Sequence, residues 1–192
     1  MTPAAAKRAE GGRTLWLLRH AKTVADPPPG GSDFDRVLAP RGRRDATALG
    51  HLFAGKGKAL GRELAGVARP ALALVSPAAR TAATAELVVA EMAAPPERQL
   101  VEGLYGAGPE EVLDVLRALP DELDAVMVVG HNPTAQLLSQ GLLDPGDVEG
   151  RSLTTRLGFP TCALAVLRFE GPSWTDVGAA TATLLALRTP PY

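Results

Sequence analysis

The sequence contains a single cysteine, Cys162, which excludes a disulfide within the chain and a cysteine-rich metal site. Cys162 lies in the apolar run TCALAVL. A free cysteine in such a run is typically an inert part of a hydrophobic core. We therefore predict a small buried side chain at this position.

The sequence also lacks a long apolar run. No stretch approaches the roughly 20 consecutive apolar residues that are needed to span a bilayer. The first residues, MTPAAAKRAEGGR, do not contain the apolar segment of a signal peptide. We therefore expect no membrane partner and a location in the reducing cytoplasm.

The sequence carries almost no net charge. Its formal net charge is −1 at pH 7, so no overall electrostatic field draws the protein to nucleic acid or to an anionic membrane. We expect no nucleic-acid partner. Any anion must be bound by a local group of basic residues.

Two common signatures of enzymes are absent. There is no Gly-x-x-x-x-Gly-Lys-Ser/Thr loop, so the sequence does not support nucleotide hydrolysis of the P-loop type. The histidines, His20, His51 and His131, do not have the spacing of zinc ligands. We therefore predict no metal and no cofactor. His51 falls in a predicted helix away from the strand ends, which favours a partly exposed surface residue.

The length favours one compact domain, because a chain of 192 residues can bury a substantial core. Residues 1–13 are rich in alanine, glycine and charge, and they show no periodicity that would bury one face. We predict a flexible segment over residues 1–13, followed by a single domain over residues 14–192.

Short apolar runs alternate with amphipathic stretches along the domain. The apolar runs predict buried strands over residues 14–18, 72–76, 126–130 and 162–169. Helical spacing of apolar residues predicts helices over residues 41–54, 77–92 and 109–119, with a fourth from Pro133 after Asn132 as the N-cap. This alternation predicts an α/β fold, a three-layer αβα sandwich with a mainly parallel central sheet and helices on both faces.

Basic residues and histidines follow three of the predicted strands. Arg19 and His20 follow the first strand, and Arg80 lies in the segment after the second. His131 follows the third. Ligands of such sheets bind at the carboxyl ends of the strands. We therefore expect these four side chains to converge at one edge of the sheet.

This combination of residue types is suited to phosphate chemistry. The planar forks of Arg19 and Arg80 can pair with phosphate oxygens and stay charged. A neutral imidazole can attack phosphorus and form a covalent phosphohistidine, which makes His20 the candidate nucleophile. Cations around His20 disfavour its protonated form, provided that its other nitrogen donates to a backbone carbonyl. His131, beside a helix start, is a candidate second donor to the phosphoryl oxygens.

Three sequence segments resemble the histidine phosphatase superfamily. The segment LLRHAKT is similar to its Arg-His-Gly signature, with Ala21 at the glycine position. SPAARTAATA resembles its Ser-Pro-x-x-Arg-x-x-x-Thr-Ala element, and VVGHNPT its second-histidine element. The short chain, DRVLAPRG and the GHNP form resemble the SixA-like phosphohistidine phosphatases more than the phosphoglycerate mutases. This resemblance implies a phosphoglycerate mutase-like fold.

The resemblance also implies further site residues. Arg36 matches an arginine that lies near the phosphate pocket in the SixA-like branch, with surface charge as the alternative interpretation. Glu102, in VEGLYG, lies where the mutases carry a glutamate, and it is a candidate proton donor or else a solvated loop carboxylate. Thr23 and Asn132, in the same loops as the two histidines, are further candidates for phosphate binding.

These residues predict a metal-independent phosphatase that acts on a phosphohistidine or a small phosphoester through a covalent intermediate on His20. The expected partner is a phosphorylated small molecule or a phosphohistidine protein. Two alternatives stay open. One is a mutase that returns the phosphoryl group to another hydroxyl, and the other is a catalytically silent phosphate-binding module.

Overall fold

The computed structural model describes residues 11–54, Leu64 and residues 66–192, and it contains a six-stranded sheet. Residues 1–10 of the predicted flexible segment lie outside the described residues. The strands are β1 Arg13–Arg19, β2 Leu72–Val75, β3 Glu97–Leu100, β4 Ala125–Gly130, β5 Leu164–Phe169 and β6 Ala182–Arg188. Their order in the sheet is β3-β2-β4-β1-β5-β6.

The sheet is mainly parallel, as predicted. β3, β2, β4 and β1 pair in parallel. β5 runs antiparallel to both of its neighbours, β1 and β6. β1 and β4 are therefore central strands that are covered on both faces, and their almost uninterrupted apolar sequences reflect this burial.

Helices cover both faces of the sheet, which confirms the three-layer αβα architecture. They are α1 Pro40–Phe53, α2 Ala79–Val89, α3 Pro109–Arg117, α4 Thr134–Gly141 and α5 Val148–Leu157. Successive residues of β1 point to opposite faces. Trp16 and Leu18 pack with α1 and α2, whereas Leu15 and Leu17 pack with α3 and α4. Each fully buried side chain of this size contributes about 1.5–3 kcal/mol.

Several boundaries differ from those predicted. β1 begins one residue early, at Arg13, which is buried. β5 begins at Leu164 rather than at Cys162, because Cys162 has a positive φ of 65° that ends the extended run. The fourth helix begins at Thr134 with Pro133 at the N-cap position, so the prediction that Asn132 is the N-cap is wrong.

Two single-residue predictions are confirmed. Cys162 is fully buried, and burial raises the pKa of its thiol to about 12. His51 is exposed on α1, where its Nε2 lies 3.6 Å from a carboxylate oxygen of Glu91. None of the helices in the described ranges is long and apolar enough to cross a membrane.

The first turn of α1 packs on the backbone of Lys22, two residues after His20. The amide of Ala39 donates to the carbonyl of Lys22 over 2.9 Å. A Cβ added at Gly42 would overlap that carbonyl oxygen and lie 2.8 Å from the amide nitrogen of Lys22. Glycine at this position therefore permits the close contact between the helix and the loop.

We expect Gly42→Ala to lower the free energy of unfolding by about 1–3 kcal/mol, the usual range for overpacking. Thermal unfolding of the variant and the wild type measures the difference. Gly141→Ala is the matched control, because an added Cβ there has no atom within 4 Å and alanine favours the helix. Equal melting temperatures for wild type and Gly42→Ala would contradict this packing.

Candidate active site

The site lies where three neighbouring strands end. Arg19 is the last residue of β1 and pairs in register with Gly130 at the end of β4, so His20 and His131 leave the sheet side by side. The amide of His20 donates to the carbonyl of Gly130 over 3.0 Å. Ser76 follows β2 on the other side of β4, and its amide donates to Val129 over 3.0 Å. The strand order therefore assembles the residues that the sequence placed after separate apolar runs.

The two histidine rings lie next to each other in the site, tilted relative to one another. Their centroids lie 5.3 Å apart, with 57° between the ring planes. His20 is 8% exposed, which places it at the floor of the site. A tetrahedral anion beside the reactive nitrogen of His20 would therefore lie within reach of His131.

The tautomer of His20 is fixed by the backbone. Its Nδ1 lies 2.8 Å from the carbonyl oxygen of Ala21. Because a carbonyl only accepts, Nδ1 must carry the proton. Nε2 therefore keeps its lone pair and is free to act as a nucleophile. The hydrogen bond to a backbone carbonyl that the predicted mechanism requires is therefore present.

Thr84 on α2 holds the loop that carries this carbonyl. The amide of Ala21 donates to Thr84 Oγ1 over 3.0 Å, and the Thr84 hydroxyl donates to the carbonyl of Arg80 over 2.6 Å. On the opposite side, the amide of Cys162 donates to the carbonyl of His20 over 3.0 Å. Ala21 is completely buried. The peptide between His20 and Ala21, which precedes the carbonyl that orients the imidazole, is therefore held by α2 and by the turn before β5.

Both histidines are neutral at neutral pH. Burial lowers the pKa of His20 to about 4, and the charges of His131, Arg80 and Arg19 act in the same direction. The hydrogen bond to Ala21 opposes this shift. Burial and Arg80 likewise lower the pKa of His131 to about 4. Desolvation is thus a larger cause than the neighbouring cations that the sequence suggested.

Two arginines flank the histidines. Arg19 is half-buried and donates through Nη1 to the carbonyl of Phe159 over 2.8 Å. Arg80 is buried, and its Nη1 and Nη2 donate to the backbone oxygen and to the carboxylate of Asp33 over 2.6 and 2.9 Å. Both guanidinium groups lower the pKa of both histidines, so their charge acts on the site.

Sequence and structure comparisons place the chain among known proteins. No model of a protein family matches it. An uncharacterized protein of Mycobacterium tuberculosis is 34% identical over 175 residues, which cover 90% of this chain and 99% of that protein. A solved structure assigned as the phosphohistidine phosphatase SixA of Nakamurella multipartitia is 30% identical. It superposes with a TM-score of 0.72 and covers 95% of this chain and 98% of its own.

The chain belongs to the histidine phosphatase superfamily. A second structure assigned as SixA, from Agrobacterium tumefaciens, is 29% identical with a TM-score of 0.69. It covers 93% of this chain and 98% of its own. The resemblance seen in the three sequence motifs is therefore confirmed, including the SixA-like branch.

The remaining predicted histidine phosphatase residues lie at different distances from the histidines. Arg36 donates through Nη2 to Thr23 Oγ1 over 2.9 Å, and its Nε lies 3.3 Å from the Asp33 carboxylate. Arg36 and Thr23 therefore form one side of the group around Arg80. Asn132 donates to the carbonyl of Phe159 over 3.1 Å, the same oxygen that Arg19 uses. Asn132 thus supports Arg19, and its binding of phosphate stays a prediction.

Glu102 is exposed, at the start of a short 3-10 turn over Glu102–Leu104. Its backbone carbonyl accepts from the amide of Tyr105, but its carboxylate forms no hydrogen bond or ion pair within the part of the chain that the structure describes. Its role as a proton donor stays a prediction. The described residues also include no group of three or more His, Cys, Asp or Glu that could hold a metal ion.

The structure adds three residues that sequence reasoning missed. Ser76 Oγ lies 2.7 Å from His131 Nε2, while His131 Nδ1 is buried without a hydrogen-bond partner in the described ranges. Tyr105 packs edge-on to His131 with centroids 5.8 Å apart. Asp33 contacts Arg80. Ser76 opens the Ser-Pro-x-x-Arg motif and follows a strand, so a signal existed, whereas Asp33 and Tyr105 come from loops with no such signal.

We expect the ring resonances of His20 and His131 to stay those of neutral imidazole until the pH falls through about 4. The lowered pKa means that acid, not neutral pH, protonates His20, the predicted nucleophile, so we expect kcat/KM to fall only in that acidic range. An NMR titration of the histidine ring resonances measures the pKa of His20 and that of His131. A titration of His20 near the ordinary value of about 6.5 would contradict the burial argument.

We expect Thr84→Val to reduce kcat more than it raises KM. Valine keeps the volume but leaves the buried amide of Ala21 without its acceptor, which costs about 1–3 kcal/mol. The carbonyl that orients His20 then loses its support. Steady-state kinetics with p-nitrophenyl phosphate measures the change, and Thr84→Ser, which keeps the hydroxyl, is the control. Equal kinetics for Thr84→Val and the wild type would remove Thr84 from this role.

Proposed function

We propose that the protein is a phosphatase that hydrolyses a phosphohistidine or a small phosphoester through a covalent phosphohistidine on His20. The observation that carries this proposal is the hydrogen bond from Nδ1 of His20 to the Ala21 carbonyl, which leaves Nε2 unprotonated beside two arginines and a second histidine. The relatives from Nakamurella multipartitia and Agrobacterium tumefaciens, both assigned as phosphohistidine phosphatases, support it.

The first step transfers the phosphoryl group to the enzyme. Nε2 of His20 attacks phosphorus, the N–P bond forms, and the bond to the leaving atom breaks. Arg19 and Arg80 neutralise the charge on the phosphoryl oxygens, which is the main catalytic requirement of phosphoryl transfer. Covalent capture divides one difficult displacement into two easier steps.

The second step releases phosphate. A water molecule attacks the phosphohistidine, the N–P bond breaks, and His20 regains its lone pair at Nε2. Throughout both steps Nδ1 keeps its proton and its hydrogen bond to Ala21. The imidazole therefore returns to the same tautomer and needs no rearrangement between turnovers.

We further propose that the reaction needs no metal and no cofactor. The two guanidinium groups supply positive charge at the site, which is the part that metal ions have in many other phosphoryl-transfer enzymes. The proposed partner is a phosphorylated small molecule or a phosphohistidine protein. The buried thiol of Cys162 fits a reducing compartment, and the cytoplasm is the proposed location.

We expect His20→Ala to abolish phosphate release from p-nitrophenyl phosphate and from a phosphohistidine protein, because no other group replaces the nucleophile. Both reactions are measured in EDTA, where the wild type should keep its full activity. His51→Ala is the matched control, since His51 lies on the exposed face of α1.

Three results would count against this proposal. Turnover by His20→Ala would exclude the covalent mechanism. Loss of wild-type activity in EDTA would exclude metal independence. Transfer of the phosphoryl group to another hydroxyl of 3-phosphoglycerate, faster than its release as phosphate, would favour a mutase.

A further inference from the structure

The carboxylate of Asp33 lies among cationic and phenolic groups at the mouth of the site. Its Oδ2 lies 2.9 Å from Nη2 of Arg80 and 3.4 Å from the hydroxyl of Tyr105, and its Oδ1 lies 3.3 Å from Nε of Arg36. The backbone oxygen of Asp33 accepts from Nη1 of Arg80 over 2.6 Å. One residue thus engages both terminal nitrogens of a proposed phosphate-binding arginine.

The two partners of this ion pair differ in exposure. The side chain of Arg80 is 7% exposed, whereas that of Asp33 is 57% exposed. Arg80 is held by the core, and Asp33 reaches it from the solvent side, from a short 3-10 turn over Asp33–Asp35. An entering phosphoryl group must share Arg80 with this carboxylate or replace it there.

Sharing the arginines with a phosphoryl dianion changes the ionisation of Asp33. Partial desolvation raises the pKa of Asp33, but Arg80 and Arg36 outweigh it and hold that pKa below its usual range. A dianion neutralises these cations and adds like charge, which favours the protonated carboxyl. The other groups around Asp33 are the Tyr105 hydroxyl and, further away, neutral His131. The Asp35 carboxylate is bound to Ser32.

The position of Asp33 also suits proton transfer to a leaving group. The attacking nitrogen of His20 belongs to a side chain that lies at the floor of the site. The attacking and leaving atoms are roughly in line in phosphoryl transfer, so the leaving atom points away from His20 and toward the mouth. Asp33 is the carboxylate that the described contacts place there, beside Tyr105 and Arg80. Glu102 makes no such contact in the described ranges.

We propose that Asp33 is the proton carrier of the reaction. This inference rests on the proposed function. Substrate binding protonates the Asp33 carboxyl from solvent, and that proton passes to the leaving oxygen or nitrogen as its bond to phosphorus breaks. The resulting carboxylate then takes a proton from the water that attacks the phosphohistidine. Phosphate leaves, and Asp33 again holds one proton. This proton returns to solvent because Arg80, no longer shared with phosphate, again favours the ionised carboxylate.

The test compares two leaving groups in the Asp33→Asn variant. Asparagine keeps the shape and an acceptor for Arg80 but carries no exchangeable acid proton. p-Nitrophenolate is a weak base and leaves without being protonated. The alkoxide of phosphoserine is a strong base and needs a proton in order to leave. We expect kcat to fall about 100-fold or more on phosphoserine and less than about 10-fold on p-nitrophenyl phosphate. Asp35→Asn is the control for the turn, and Asp26→Asn is the control for charge in the same exposed loop.

A binding measurement tests the proton directly and needs no turnover. Calorimetry of inorganic phosphate binding in two buffers with different ionisation enthalpies gives the protons taken up. We expect the wild type to take up more protons than Asp33→Asn. Equal uptake by the two proteins would overturn the proposal, even if the wild type hydrolysed neither substrate.

Other kinetic results would also overturn it. Equal loss on both substrates would mean that Asp33 only positions Arg80. Unchanged kcat with tighter phosphate binding would mean that it only competes with substrate for Arg80. The same losses of kcat in Asp35→Asn would mean that the structure of the turn, and not the Asp33 carboxyl, is what the reaction needs. Failure of the proposed function itself shows separately, as turnover by His20→Ala.

Discussion

The hydrogen bond between Nδ1 of His20 and the carbonyl of Ala21 is the interaction on which the site depends. It decides which nitrogen of the imidazole carries the proton, and it aims the other nitrogen into the site. The preceding peptide group, between His20 and Ala21, is held at both of its polar atoms. Thr84 binds its amide from α2, and the amide of Cys162 binds the carbonyl of His20. The buried fold is therefore connected to the reactive atom through backbone groups.

Burial and charge act together on that atom. Burial alone would favour a neutral histidine anywhere in a core, but here it coincides with two guanidinium groups that bind an anion and disfavour a cation. In the mechanism that we propose, the same site therefore attracts a phosphoryl group and keeps His20, the proposed nucleophile, unprotonated. Asp33 offsets part of this positive charge at the mouth of the site, since its carboxylate pairs with Arg80 and Arg36.

The part of this arrangement that the sequence predicted comes from strands buried on both faces. β1 and β4 have nearly continuous apolar sequences, so the sequence predicts where each strand ends. The positions of His20 and His131 follow from those ends. β3 was not predicted because Glu97–Leu100 is an exposed, largely polar edge strand. Its extended structure comes from pairing with β2 and not from an apolar pattern in its own sequence. β6 and α5 were also not predicted, because the apolar residues in these two segments do not follow a clear strand or helix period.

The site residues fall into the same two groups, those that local sequence pattern predicts and those that only the tertiary fold brings together. Arg19, His20, Arg80 and His131 follow strands or open a helix, so local pattern placed them, and the superfamily resemblance supported them. Asp33 and Tyr105 meet Arg80 only through the tertiary fold, across 47 and 25 positions of sequence, and no local spacing predicts such contacts. Asn132 was wrongly predicted as a helix cap, because Pro133 takes that position and Asn132 turns to Phe159 instead.

The direct test of this account is to identify which atom carries the phosphoryl group in the trapped intermediate. The enzyme is quenched and denatured at alkaline pH, where a phosphorus–nitrogen bond is stable, and is then digested and studied by mass spectrometry and by phosphorus–nitrogen NMR correlation. We expect phosphate on Nε2 of His20, because Nδ1 is occupied by its hydrogen bond to Ala21. Phosphate on Nδ1, on His131 or on any other residue would contradict it.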